Sequence, residues 1–210
     1  MLAYPFTDLV TSKEALREIV GEPWDLNLCK QLPALDAHCR AFIARCPFLL
    51  IGTVDAAGKC DVSPRGDPPG FVLALDDKTL VIPERPGNRR ADTLHNILEH
   101  PRVGLLFLIP GMDETLRVNG RAALVRDETI LDRATVHGKR PALGIAVEVE
   151  ECFLHCGRSF RRARLWDATS WPERGALPSL AQMLMDQAKP SDVTLEELEH
   201  EVEDAYTRLY

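Results

Sequence analysis

The chain has 210 residues, 45% of them hydrophobic, enough for one sizeable core with appendages. It contains no run of 18 apolar residues, and its opening MLAYPFTDLV has neither a basic start nor an apolar stretch, so no membrane span or signal peptide is expected and a cytoplasmic location is. The net charge of −7 is concentrated after Asp192, where seven acids face Arg208 alone, leaving the body near neutral and setting nucleic acid aside as the main partner.

Taken in order, Thr11 and Glu14 read as a capping box for a short helix ended by Gly21 and Pro23. A second helix is predicted over Leu35 to Arg45, with Leu35, His38, Cys39, Phe42 and Ile43 on one side. The period then changes. FLLIGTV is apolar and β-rich, DAAGK is a hairpin loop with Gly58 where positive φ is needed, and a strand from Cys60 ends in Ser63-Pro64-Arg65-Gly66. FVLAL (71–75) and TLVIP (79–83) follow as two strands about the turn Asp76-Asp77-Lys78.

Between Ile82 and Ile109 the pattern is strand end, glycine turn, helix and strand. Asn88 can cap the helix, and Ala91, Leu94, Ile97 and Leu98 give it an apolar side expected to be buried. Arg89 and Arg90 then fall in its first turn, where the macrodipole is already positive, so each costs roughly 0.3–1 kcal/mol if nothing answers it. Two answers are open. The pair is solvated or held by Glu84 and Asp92, or it receives an anion such as a phosphate.

RVGLLFLI (102–109) and TLRVNGRAALV (115–125) are the next strands. The second alternates Thr115, Arg117, Asn119 and Arg121 on one face against Leu116, Val118, Gly120 and Ala122 on the other. Gly52 and Gly104 interrupt apolar strands, which marks a tight barrel bend or the close approach of a flat ligand. Asp127 caps a predicted helix to His137, and LGIAVEVE (143–150) is the last strand. Helices over Ala181 to Lys189 and Leu195 to Leu209 close the chain, the latter with a Thr194–Glu197 capping box. Six or seven hairpin-connected strands without βαβ alternation predict a mainly β fold, an antiparallel barrel with flanking helices. Six cysteines read as buried thiols, and the Cys152-x-x-His155-Cys156 cluster lacks a second half, so no metal is expected.

The strand ending Ser63-Pro64-Arg65, the Gly87-Asn88-Arg89-Arg90-Ala91 helix start, Asn96 and the strand entry Pro101-Arg102-Val103-Gly104-Leu105-Leu106-Phe107 together resemble the FMN-binding split barrel of the pyridoxamine 5'-phosphate oxidase-like flavoproteins. The resemblance covers roughly residues 45–170. It implies a helical lead-in (1–45), a split-barrel FMN domain (46–170) and a C-terminal helical extension with the acidic tail (171–210). It implies that Arg65, Arg89 and Arg90 grip the FMN phosphate, with Ser63 at the same strand end. The backbone at Ile82 and Pro83 would run along the flavin ring, and Arg117 or Asn119 would reach its polar edge. His155, Arg158, Arg164 and Trp166 stand where the oxidases carry an Arg-x-His substrate element, and the lysine that follows the oxidases' strand-end arginine is missing after Arg65.

The implied protein is a homodimer with FMN at the subunit interface, an FMN-dependent oxidoreductase acting on a small molecule. No catalytic acid or base is assigned, His155 being the candidate if one is needed. The rival readings are a non-catalytic flavin carrier or sensor, a haem-binding split barrel with His155 or Cys156 as axial ligand, and a split barrel that binds the deazaflavin F420.

Overall fold

The computed structural model describes residues 5–210. Seven strands, β1 (Phe48–Val54), β2 (Cys60–Gly66), β3 (Leu73–Ala74), β4 (Thr79–Pro83), β5 (Arg102–Leu108), β6 (Thr115–Val125) and β7 (Gly144–His155), form one antiparallel sheet in the order β2-β1-β5-β6-β7-β4-β3. It is the mainly β split barrel with flanking helices that the sequence implies. Leu49, Ile51, Leu105, Phe107, Leu116 and Val118 alternate inward and are buried, so one face of β1, β5 and β6 makes the core.

Two strands differ from their predicted extents by more than one residue. Only Leu73 and Ala74 of FVLAL find ladder partners on β4, while Phe71 and Val72 reach the core from an irregular approach. Strand β7 runs five residues beyond Glu150 because β6 pairs with it from Val125↔Gly144 to Thr115↔His155. That long pair carries a bulge at Asn119/Gly120. A Cβ on Gly120 would lie 2.0 Å from the Glu148 carbonyl oxygen, so only glycine fits there.

The lead-in holds three helices, α1 (Lys13–Val20), α2 (Asp25–Cys29) and α3 (Ala37–Ile43). The first is capped by Ser12, whose side chain accepts from Ala15 N, and not by Thr11. Helix α3 starts at the Asp36 cap and sends Cys39, Phe42 and Ile43 into the core. Leu32 bridges Cys152, pinning the lead-in to the end of β7 that β4 leaves unpaired.

Helix α4 (Asp92–Glu99) begins three residues later than an Asn88 cap requires. Its cap is Ala91 in a left-handed conformation, and Asn88 instead accepts from the backbone N–H of Arg90. Arg89 and Arg90 therefore lie in the approach loop, and the acid in the first turn, Asp92, suits the dipole. The buried face is Thr93, Asn96 and Ile97, whereas Leu98 is 69% exposed. A polar relay fixes that rotation: Asn96 Nδ2 donates to Thr53 Oγ1 (3.0 Å), which donates to Asp61 Oδ1 (2.8 Å).

After β6, Asp127 caps α5 (Glu128–Asp132), which is shorter than predicted because the chain turns back in a Val136↔Lys139 bridge. Helices α6 (Arg158–Ala163), α7 (Leu180–Ala188) and α8 (Leu195–Thr207) follow, the last with the reciprocal Thr194–Glu197 capping box. Among the described residues no helix is long and apolar enough to cross a membrane.

Candidate functional site

Strands β2 and β4 stand toward opposite ends of the strand order, and the barrel is split between them. There a cleft of about 660 Å³ opens, lined by β2 and its continuation from Asp61 to Asp67, by Phe71, and by the β4–α4 connection from Pro83 to Leu94. Two ion pairs span it, Arg65 Nε to Glu84 Oε2 at 3.1 Å and Arg85 Nε to Asp67 Oδ2 at 2.6 Å. Arg65 also donates to Ser63 Oγ (2.6 Å) and to the Pro64 carbonyl (2.8 Å), which sets its guanidinium along the wall.

Asp67 is the most enclosed of these charges, its side chain 1% exposed. It accepts from Tyr210 Oη at 2.5 Å, and Arg85 stacks over the Tyr210 ring at 5.3 Å while donating to the Ala134 carbonyl. The hydrogen bond to Asp67, then burial, pushes the Tyr210 hydroxyl pKa up. The end of the chain is thereby fastened to the floor of the cleft.

The loop into α4 carries the unusual backbone. Arg89 (φ 61°) and Ala91 (φ 59°) are both left-handed without being glycine, two strained residues within three. Arg90 Nε contacts Asp92 Oδ2 at 2.9 Å on the open surface. Of the four arginines lining the cleft, Arg65, Arg85 and Arg90 each hold a carboxylate, while the side chain of the fourth, Arg89, has neither ion pair nor hydrogen bond among the described residues. The structure thus divides the two answers left by the sequence: Glu84 and Asp92 are taken by Arg65 and Arg90, and Arg89 is left over.

Five predicted residues meet at this cleft: Ser63, Arg65, Pro83, Arg89 and Arg90. The Ile82 side chain does not, because it is fully buried in the core. Arg117 and Asn119 lie elsewhere. Arg65 is in register with Leu49, Phe107 and Leu116, which point inward, so Arg117 and Asn119, one residue out of phase with Leu116 and Val118, point to the other face of the sheet. There Asn119 donates to Glu151 (2.9 Å) and Arg117 lies over Phe153 at 4.4 Å. His155 sits against the same ring at 4.9 Å, and burial, then Arg117 and Lys30, hold its pKa below the ordinary value.

Arg158, Arg164 and Trp166 do not line the cleft either. Arg164 pairs with Asp167 (2.6 Å), and Trp166 Nε1 donates to the Met112 carbonyl (2.8 Å), so this segment ties α6 to the β5–β6 loop. Sequence reasoning missed Glu84, Arg85, Asp67 and Tyr210 as parts of the cleft. Glu84 and Arg85 lie in the quoted stretch and could have been included. The Asp67–Tyr210 bond joins residues 143 apart and leaves no local signal.

The cleft fits a phosphate-bearing ligand in three respects: its volume lies in the usual range of ~300–1,000 Å³ for small-molecule sites, one arginine is uncommitted, and strain is concentrated at its rim. The family model described as pyridoxamine 5'-phosphate oxidase matches residues 35–156, more than half of the chain. No curated protein matches it. Solved structures of similar shape include HupZ of Group A Streptococcus, 19% identical over 57% of this chain and 93% of that one, with a TM-score of 0.47. An FMN-binding protein of Syntrophomonas wolfei is 16% identical over 67% and 95%, with a TM-score of 0.43. General Stress Protein 26 of Bacillus anthracis is 16% identical over 56% and 93%, with a TM-score of 0.40.

Proposed function

This chain belongs to the pyridoxamine 5'-phosphate oxidase family, and from that premise we propose that it is a flavoprotein holding FMN in the cleft beside β2 and acting as an oxidoreductase on a small molecule. The observation that carries the reading is Arg89: an unpaired guanidinium on a strained left-handed backbone at the rim of that cleft. Arg90 joins it readily, since an exposed pair such as Arg90–Asp92 is worth only ~0–1 kcal/mol. Arg65 contributes from the opposite wall, oriented by Ser63 and restrained by Glu84. Phe71 and Pro83 give the same cleft apolar surface against a ring.

When bound, the flavin supplies the hydride or electron acceptor. The chain's own residues bind, orient and exclude water, and no side chain in the cleft is assigned as acid or base. A second copy is proposed to cover the outer face of the sheet, where Phe48 and Val62 stand exposed on strands β1 and β2.

The test is flavin retention in the purified full chain. A charge-assisted hydrogen bond is worth about 1.5–3 kcal/mol, so replacing Arg89 and Arg90 together by Ala should weaken FMN binding by roughly 10- to 100-fold or more with circular dichroism unchanged. Undiminished flavin in that variant sinks the placement. Bleaching of the bound flavin by NADH or NADPH separates an oxidoreductase from a carrier.

A further inference from the structure

Arg85 is held at the floor of the cleft from three sides. Its Nε donates to Asp67 Oδ2 at 2.6 Å, its Nη2 donates to the Ala134 carbonyl at 2.7 Å, and its guanidinium carbon lies 5.3 Å from the centre of the Tyr210 ring. Tyr210 is held in turn. Its hydroxyl donates to Asp67 Oδ1 at 2.5 Å, the His137 ring meets it edge-on at 5.4 Å, and Lys139 Nζ donates to its carbonyl.

One nitrogen of the guanidinium is left over. Arg85 Nη1 makes no hydrogen bond among the described residues, and it is not buried, since the one buried side-chain nitrogen or oxygen there without a partner is Arg117 Nε. The chemistry of that free N–H is set by Asp67. With a buried carboxylate 2.6 Å away the charge of Arg85 is already met, so an anion gains little there, whereas an uncharged carbonyl oxygen needs only the free donor.

Position points the same way. Arg85 and Phe71 line both the cleft and a second hollow of about 170 Å³, while Arg89 and Arg90 line the cleft alone. Arg85 thus stands at the end of the cleft where Phe71 offers apolar surface to a ring. Arg117 and Asn119, implied by resemblance for the polar edge of that ring, point to the other face of the sheet, so the role has no holder in the cleft besides Arg85.

We infer, resting on the reading that the cleft holds FMN, that Arg85 donates to a ring carbonyl of the flavin and that Tyr210 is its positioning residue. Tyr210 acts through two contacts: its hydroxyl occupies one oxygen of Asp67 and leaves the other to Arg85, and its ring closes one face of the guanidinium. The donor is therefore in place before the ligand arrives. A hydrogen bond at the ring carbonyl strengthens as the ring gains electrons, so Arg85 holds the reduced flavin more tightly than the oxidised one.

The test uses the full chain and FMN, with Arg85→Gln combined with Asp67→Asn so that no charge is buried alone. Affinity is read by quenching of flavin fluorescence and the midpoint potential by reductive titration against a dye. The double variant should bind FMN at least tenfold more weakly and with a more negative potential. Arg89→Ala/Arg90→Ala should weaken binding and leave the potential where it is, because a phosphate contact does not reach the ring. Tyr210→Phe keeps the aromatic ring and removes only the hydroxyl, and it should move the potential in the same direction by less, a change that a mere tether of the chain does not produce. If the double variant fails to fold or holds no flavin, Tyr210→Phe decides. FMN bound with an unchanged potential in the deciding variant overturns the inference and leaves the cofactor reading standing. FMN that does not bind the wild-type chain overturns both.

Discussion

In the proposed site, Arg89 would serve ligand binding at the expense of the fold. Its left-handed backbone costs an ordinary residue about 1–2 kcal/mol that glycine does not incur. Arg89→Gly should therefore raise the stability measured in urea melts by up to ~1 kcal/mol while lowering the proposed FMN affinity at least tenfold. A variant that loses stability and flavin together would mark Arg89 as structural. Cys39 gives a second residue-level prediction. Burial, followed by the Asp36 carboxylate and Cys152, pushes its thiol from 9.0 up to about 12. A folded-state pKa raised above the unfolded value gives stability that is complete below pH 9 and drains as pH climbs toward 12. Urea melts at about pH 8 and about pH 10.5 should show the loss, up to ~1.4 kcal/mol per pH unit for one group, and Cys39→Ala should reduce it. At the lower pH a thiol reagent should label Cys29, Cys60 and Cys156, which are exposed, and spare Cys39, Cys46 and Cys152. The arginines at the cleft were legible because charge beside a glycine turn is a local pattern. Asp67 and Tyr210 were not, since only folding brings them together.

At the scale of the element, α4 separates what periodicity can and cannot reveal. The spacing of Leu94, Ile97 and Leu98 finds the helix, but its facing is decided by Asn96 reaching Thr53 on β1, which in turn donates to Asp61 on β2. Apolar count alone assigns Leu98 to the core, and the structure leaves it in solvent. Ile97→Ala should accordingly cost about 2–4 kcal/mol and Leu98→Ala less than about 0.5, read from chemical denaturation. Equal costs would mean the helix is turned the other way. The start of α4 escaped sequence reasoning for a related reason: Asn88 has the chemistry of a cap, yet its side chain closes a tight turn on Arg90 and leaves the capping position to Ala91. Strands were read more faithfully. TLVIP and TLRVNGRAALV hold their predicted bounds because alternation is fixed by the pleat, while β3 and β7 depart where the length of the partner strand, a non-local quantity, sets the end.

For the whole molecule, the barrel and its split were legible from strand alternation and the Arg65 and Arg89 motifs, whereas the division of the basic residues between two faces was not. That division follows from register, and a single sequence does not state which strand lies beside which. The outer face bears on assembly. Val62 is 67% exposed on edge strand β2, so Val62→Glu should leave the fold intact and convert the proposed dimer to monomer, as measured by light scattering after gel filtration. An unchanged mass would place the partner elsewhere. The edges themselves discourage strand-to-strand association, since β2 carries Pro64 and β3 has two residues. The gap between β2 and β4 has a kinetic meaning of its own. Its sides are clasped by Arg65 with Glu84 and Arg85 with Asp67, so a guest entering there displaces side chains and unzips no backbone ladder. If the proposed FMN occupies this gap, protein stripped of it should refill by simple mixing in native buffer, in one fluorescence-quenching phase, with no unfolding step required for the door to open.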